Sequence, residues 1–132
     1  MRHVIALGLL LLAVVVACGS SGLDRPVVSI VAPLDADGVQ RVEVDMHSYY
    51  FEPNRIVVHA GHPVEFKLKN CAHIVPHNLT LVGGGININE SKWGWGSDEV
   101  RFTPTVPGEY RFFCHKGGHE KKGMAGTLVV LE

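Results

Sequence analysis

The stretch Arg41-Val42-Glu43-Val44-Asp45-Met46 alternates apolar with charged side chains. Successive side chains of an extended chain point to opposite faces, so this stretch predicts a β-strand with one buried face. Similar alternation recurs at residues 27–32, 55–59, 64–69, 77–82, 99–103, 110–114 and 126–131. Turn signals such as Asp37-Gly38 and Pro107-Gly108 separate these runs. The pattern predicts an all-β domain, a sandwich of about eight short, half-buried antiparallel strands.

One long stretch of the chain does not alternate. Residues 83–97 contain Gly83-Gly84-Gly85 and both tryptophans, Trp93 and Trp95. We expect irregular structure there, in which the tryptophans either form a docking surface or fold back over the sandwich. No run in the predicted domain has the periodicity of a helix.

The composition agrees with one globular domain and excludes several functions. The chain has 132 residues, of which 46% are hydrophobic and 19% charged, which is too apolar for a disordered protein. A formal net charge of −1 gives no general attraction to the phosphates of nucleic acids. Three cysteines are too few for a disulfide-stabilised miniprotein, whereas eight histidines are more than packing requires.

The amino terminus has the features of an export signal. Arg2 and His3 precede a small and apolar run over residues 4–17, which ends at Cys18. The run is shorter than the about 20 residues that a membrane-spanning helix needs, and a buried core helix is the alternative. The residues before Cys18 resemble a bacterial lipobox, whose cysteine receives a lipid after cleavage. The sequence thus predicts a signal peptide over 1–17, a lipidated Cys18 with a flexible linker over 18–26, and a folded domain over 27–132.

Four residues carry the donor atoms of a metal site. Cys114, His119 and Met124 lie in one loop between the last two predicted strands, and His77 begins an earlier strand. Thiolate and thioether are soft ligands and imidazole is intermediate, which favours copper over harder cations. Two histidines, one cysteine and a weakly bound methionine are typical of an electron-transfer copper site.

At these residues the chain resembles the cupredoxins, the blue copper proteins. The spacing Cys-x₄-His-x₄-Met is similar to that of the auracyanin and azurin-like branch, and Pro76-His77-Asn78 resembles the first-histidine motif of plastocyanins. Flanking similarities lie at residues 51–58, 106–110 and 126–128, and the resemblance covers roughly residues 40–132. It implies a Greek-key β-sandwich that holds one type 1 copper ion, bound by His77, Cys114, His119 and Met124.

The chain departs from the family at one position next to the site. Many cupredoxins have Ser or Thr after the ligand cysteine, and that side chain binds the Asn that follows the first histidine. This chain has His115 there, so we expect Asn78 to lack its usual partner, with a looser site or a shifted potential.

Several candidate residues keep alternative interpretations. Cys114 could form a disulfide with Cys71 in an oxidising compartment. Otherwise Cys71 is expected to be a buried thiol or a spare thiol near the site rather than a ligand. His77 and Met124 could be core residues. Neighbouring side chains of an extended chain point apart, so His119 is favoured over His115 as the second histidine ligand. The roles of Cys71, His73 and His115 stay open.

The sequence leaves competing functions. The leading hypothesis is a membrane-anchored, extracytoplasmic electron carrier that cycles between Cu(I) and Cu(II) and is not an enzyme. The alternative is copper delivery or buffering, with His73 and His115 as auxiliary ligands. A complete set of four ligands argues against an enzyme, because catalysis needs a vacant position. We expect a monomer whose Lys116, Lys121 and Lys122 attract an acidic, membrane-associated redox partner, with no binding to nucleic acid.

Overall fold

The folded domain consists of ten β-strands and three short 3₁₀ turns. A computed structural model describes residues 22–132. The strands are β1 (Ser29–Val31), β2 (Gln40–His47), β3 (Tyr50–Glu52), β4 (Arg55–His59), β5 (Val64–Asn70), β6 (His77–Gly83), β7 (Ile86–Lys92), β8 (Ser97–Phe102), β9 (Gly108–Phe113) and β10 (Ala125–Leu131). The 3₁₀ turns are Gly22–Asp24, Lys116–Gly118 and Glu120–Lys122.

The strands form two sheets that share one core. The six-stranded sheet has the order β1-β4-β10-β9-β6-β7, and the four-stranded sheet has the order β3-β2-β5-β8. Apolar residues of both sheets belong to a single buried cluster. Within it Phe51 of one sheet packs edge-to-face on Phe112 of the other, with ring centroids 5.2 Å apart. The predicted all-β sandwich is confirmed.

Two features of the sheets differ from the sequence-based prediction. β2 pairs with β5 in parallel, and β4 pairs in parallel with both β1 and β10, so an entirely antiparallel arrangement was wrong. Alternation shows that one face of a strand is buried, but it carries no information on the direction of the neighbouring strand.

The stretch predicted to be irregular contains a strand. Gly83, Gly84 and Gly85 all have positive φ. Gly83 ends β6, and Gly84 and Gly85 form the turn into β7, where Ile86 and Ile88 are buried. Only two apolar residues alternate in β7 before Asn89, Glu90 and Ser91, which is too short a signal to read from sequence. β6, the turn and β7 form a hairpin, and His77 is the first residue of β6.

The strand order brings His77 close to the loop that contains the other three predicted ligands. β6 runs antiparallel to β9, with Thr80 opposite Phe113 and Leu81 opposite Phe112. The beginning of β6 therefore lies beside the end of β9. The loop from β9 to β10, residues 114–124, leaves the sheet at this same end.

The start of the described chain lies against the domain. The Arg25 guanidinium lies 3.8 Å from the Tyr50 ring centroid, and the Asn54 amide donates to the Pro26 carbonyl at 3.1 Å. Thus residues 22–26, within the stretch assigned to a linker, make tertiary contacts. The predicted signal peptide and Cys18 lie outside the described residues. Over residues 22–132 no helix is long and apolar enough to cross a bilayer.

Candidate metal centre

Three of the predicted ligands converge in the interior of the sandwich. The ligating atoms of His77, Cys114 and His119 all lie within 4.8 Å of one another. His77 and Cys114 are fully buried, and His119 is 7% exposed. His77 is the first residue of β6, Cys114 follows β9, and His119 lies between two 3₁₀ turns of the loop.

Of the two nitrogens in the His77 ring, one has a hydrogen-bond partner and the other has none among the described residues. Its Nε2 lies 3.3 Å from the Ser48 hydroxyl oxygen. Its Nδ1 is buried and has no hydrogen-bond partner within residues 22–132. A buried polar nitrogen without a partner is costly, and a hydrogen bond at the second nitrogen is the usual way to orient a metal-binding imidazole. The ring is thus arranged to offer a lone pair at Nδ1 to a metal ion.

The Cys114 sulfur is surrounded by polar groups from both halves of the site. The Asn78 backbone N–H donates to Sγ at 3.4 Å, and His119 Nδ1 lies 3.4 Å from Sγ. The Cys114 N–H in turn donates to the Met124 carbonyl at 3.0 Å, which closes the loop. Sulfur and both imidazoles therefore face one small volume.

Met124 lies at the closing point of the loop. Its N–H donates to the His119 carbonyl at 3.1 Å, and its side chain is fully buried. The preceding Gly123 has φ of 93°, and a Cβ there would lie 2.3 Å from the Leu23 nitrogen. The tight turn at Gly123 requires glycine and brings Met124 back into the interior beside Cys114.

The comparison with protein families agrees with this geometry. A family model described as a cupredoxin-like domain matches residues 8–130. The chain belongs to the cupredoxin-like family. The buried imidazoles, thiol and thioether fit one type 1 copper ion, and fold and donors together support copper electron transfer.

Solved structures show the same fold in other proteins. This cupredoxin is similar to auracyanin A, a "blue" copper protein of Chloroflexus aurantiacus, with 25% identity and a TM-score of 0.63 over 71% of this chain and 100% of that one. It is similar to the reduced auracyanin of Roseiflexus castenholzii, with 21% identity and a TM-score of 0.62 over 70% and 97% of the two chains. It is also similar to the metal-binding domain of the Cu(I)-exporting P-type ATPase of Streptococcus pneumoniae D39, with 20% identity and a TM-score of 0.63 over 82% and 100%. The search of curated proteins finds no match.

His115 changes the expectation for Asn78. The His115 backbone N–H donates to Asn78 Oδ1 at 2.9 Å, and the His115 ring nitrogen Nδ1 lies 2.9 Å from Asn78 Nδ2. Asn78 thus lacks the usual Ser or Thr side chain, as expected, but His115 binds it instead. The backbone N–H at position 115 can donate to Asn78 whatever the side chain is. The His115 ring nitrogen can accept a hydrogen bond from the Asn78 amide, as a hydroxyl does in other cupredoxins.

The two cysteines within residues 22–132 are separate. Cys71 and Cys114 are both free thiols, so the alternative of a disulfide between them does not hold in this structure. Burial raises the pKa of the Cys71 thiol, and the nearby Asp45 carboxylate raises it further. Cys71 is half-buried rather than fully buried and belongs to a different group of side chains from Cys114.

The other residues singled out from the sequence have varied roles. His73 stacks on Trp95 with ring centroids 3.6 Å apart, and neither lies in the metal centre. Trp93 and Trp95 are 74% and 76% exposed, so they do not fold back over the sandwich. His115 is exposed outside the donor group, as expected.

Sequence reasoning missed a tyrosine that covers the site. The Tyr49 ring lies 4.6 Å from the His119 ring, centroid to centroid, and the Lys122 ammonium lies 4.0 Å from the Tyr49 centroid. Tyr49 sits between β2 and β3, far from the ligand motif in sequence. No local pattern marks it, because its role depends on the packing of the two sheets.

The electrostatics keep both imidazoles neutral. Burial, together with smaller effects of the neighbouring His119 and His47, lowers the pKa of His77 from 6.5 to about 4. Burial also lowers the pKa of His119, with a further effect from Lys122. Neutral imidazole is the form that binds metal ions, so neither ligand needs to lose a proton near pH 7.

We expect the metal-free cupredoxin to lose stability as the pH falls from about 6.5 to about 4. In this range unfolded His77 binds a proton and folded His77 does not, so acid favours the unfolded chain. The loss of stability between pH 7 and about pH 4 is up to roughly 3 kcal/mol, from the pKa difference. Urea unfolding at several pH values measures it.

Two matched variants isolate the effect of His77. His77→Gln should flatten the dependence of unfolding free energy on pH, whereas His62→Gln, at an exposed turn, should leave it as in the parent. An unchanged slope in His77→Gln would contradict the assignment.

Proposed function

We propose that this cupredoxin is a single-copper electron carrier whose ligands are His77, Cys114, His119 and Met124. The observation that carries the proposal is the convergence of three buried donor atoms within 4.8 Å, with His77 Nδ1 left without a partner. Bound copper would supply a one-electron Cu(I)/Cu(II) couple at this position.

The residues around the site support this role by keeping its geometry constant. Asn78 joins the start of β6 to the ligand loop through His115, and the Cys114–Met124 backbone bond closes the loop. Because these groups are bonded to one another, the donors have little freedom to rearrange between oxidation states. The N–H bond from Asn78 to the sulfur also tunes the electron density of the thiolate.

The donor set distinguishes this function from other metal chemistry. A thioether is a poor ligand for zinc, which prefers thiolate, imidazole and carboxylate. Four protein ligands leave no vacant position for a substrate, which is why we propose a carrier rather than an enzyme. His119, at 7% exposure, is the ligand nearest to solvent among the buried donors.

Copper loading should give the purified protein an intense visible charge-transfer band that bleaches reversibly on reduction. Cys114→Ser should abolish the band, because it removes the sulfur donor. Cys71→Ser is the matched control and should retain the band, since Cys71 lies outside this donor group. Absorption spectra of the three proteins check the assignment, and a band lost with Cys71 but not with Cys114 would reverse it.

Copper delivery or buffering is the alternative, and the same spectrum addresses it. Colourless copper that chelators remove readily would support delivery and contradict the carrier. The proposed auxiliary histidines have other contacts: His115 binds Asn78, and His73 stacks on Trp95. These contacts make the carrier the better supported function.

We further propose that the protein is exported and anchored by a lipid on Cys18. The basic start, the apolar run over 4–17 and the small residues before Cys18 support this. In cells that express the protein, the parent should sediment with membranes and Cys18→Ala should lose the lipid. A parent protein found only in the soluble fraction would refute the anchor.

Lysines beside the metal centre support an acidic redox partner. Glu120 forms an ion pair with Arg111, which leaves Lys116, Lys121 and Lys122 as a local excess of positive charge. The Lys122 ammonium lies over Tyr49, which covers His119. We propose that this surface attracts the partner by long-range, salt-sensitive forces.

Reversal of these charges should change the rate of electron exchange with small charged oxidants. Lys121→Glu with Lys122→Glu should slow oxidation by anionic hexacyanoferrate(III) about tenfold at low ionic strength, and speed it with a cationic oxidant. Lys67→Glu, on the outer face of the four-stranded sheet, is the control. Stopped-flow rates measure the effect, and equal rates in both variants would rule out steering from this surface.

A further inference from the structure

We propose that Asp45, His47 and Cys71 form a second metal site, for a divalent cation of intermediate softness such as Zn²⁺. Their ligating atoms all lie within 4.8 Å of one another, and each residue is half-buried. None of the three belongs to the copper centre proposed above.

The period of two along β2 and the pairing of β2 with β5 create this group. Asp45 and His47 alternate with the buried Met46, so they share the outer face of the four-stranded sheet. The parallel ladder places Met46 opposite Asn70, and the Cys71 N–H extends it by donating to the Met46 carbonyl at 3.0 Å. This brings Cys71 beside His47 at the end of the sheet.

Among the described residues, one carboxylate oxygen of Asp45 lacks a partner that a cation could supply. Its Oδ1 is buried and has no hydrogen-bond partner within residues 22–132. Lys69 lies opposite Asp45 in the ladder, but its ammonium pairs with Glu43 at 3.9 Å. A carboxylate oxygen removed from water without a donor is costly, and a metal ion would satisfy it.

One side of this group borders a surface cleft, which Cys71 lines but Asp45 and His47 do not. Cys71 lines a surface cleft of about 460 Å³ together with His73, Trp95 and Glu43. The cleft lets an ion approach Cys71 from solvent. Three protein ligands and one water are a common coordination for zinc.

The donor chemistry distinguishes this site from the first. One thiolate, one imidazole and one carboxylate are the three ligand types of protein zinc sites. The group has no thioether, and its carboxylate is a hard ligand that does not favour Cu(I). Binding would form a metal–sulfur bond and release the thiol proton of Cys71 to the buffer.

Cobalt(II) tests the proposal, because it reports a thiolate ligand by charge-transfer absorption in the near ultraviolet. The copper-loaded, reduced protein should bind one equivalent of Co²⁺ with this band, and one equivalent of Zn²⁺ should displace it. Cys71→Ser should lose the band. His47→Gln should weaken Co²⁺ binding at least about tenfold. Loss of a residue that only hydrogen-bonds to a metal ligand already lowers metal affinity by about this factor.

Control variants separate this proposal from the proposed function. His62→Gln, at an exposed histidine, should bind Co²⁺ as the parent does. Cys114→Ser should lose the blue colour yet keep the Cys71-dependent cobalt band. The proposal is overturned if the parent shows no thiolate–cobalt band, or if the band persists in Cys71→Ser while that variant still turns blue with copper.

Discussion

Asn78 binds the ligand loop through two hydrogen bonds. Its backbone N–H donates to the Cys114 sulfur, and its side-chain oxygen accepts from the His115 N–H. These bonds join residues 36 and 37 positions apart in sequence. Asn78 also follows His77 directly, so the same contact fixes one imidazole relative to the thiol. Backbone hydrogen bonds extend this connection from Cys114 to Met124 and from Met124 to His119, so it links all four proposed donors.

The metal centre replaces hydrophobic packing at one end of the core. His77 and Asn78 are fully buried, and burial is the largest cause that keeps the His77 ring neutral, ahead of the neighbouring His119 and His47. Ser48 satisfies one ring nitrogen, and the other is left for a ligand. The fold tolerates this because the two sheets share one continuous core, to which Cys114 and Met124 themselves belong. A polar site of this kind is stable where the surrounding scaffold is rigid.

The two cysteines within residues 22–132 show how strand alternation separates two groups of possible ligands within one small domain. Cys114 follows β9 and points into the sandwich, where its neighbours are imidazoles and a methionine loop. Cys71 follows β5 and joins Asp45 and His47 on the outer face of the other sheet. Ser48 stands next to His47 in the chain and binds His77, so the two groups are close in space.

The sequence by itself determined the all-β class, most strand positions and the donor set, because alternation and ligand spacing are local patterns. Strand direction, β7 and the Asn78–His115 bond were decided only in the tertiary structure. Sheet pairing joins residues distant in sequence, and a His at position 115 shows its hydrogen-bonding role only once Asn78 lies beside it. The grouping of Asp45, His47 and Cys71 has the same origin: their residue types are visible in the chain, but only the parallel pairing of β2 with β5 brings them together.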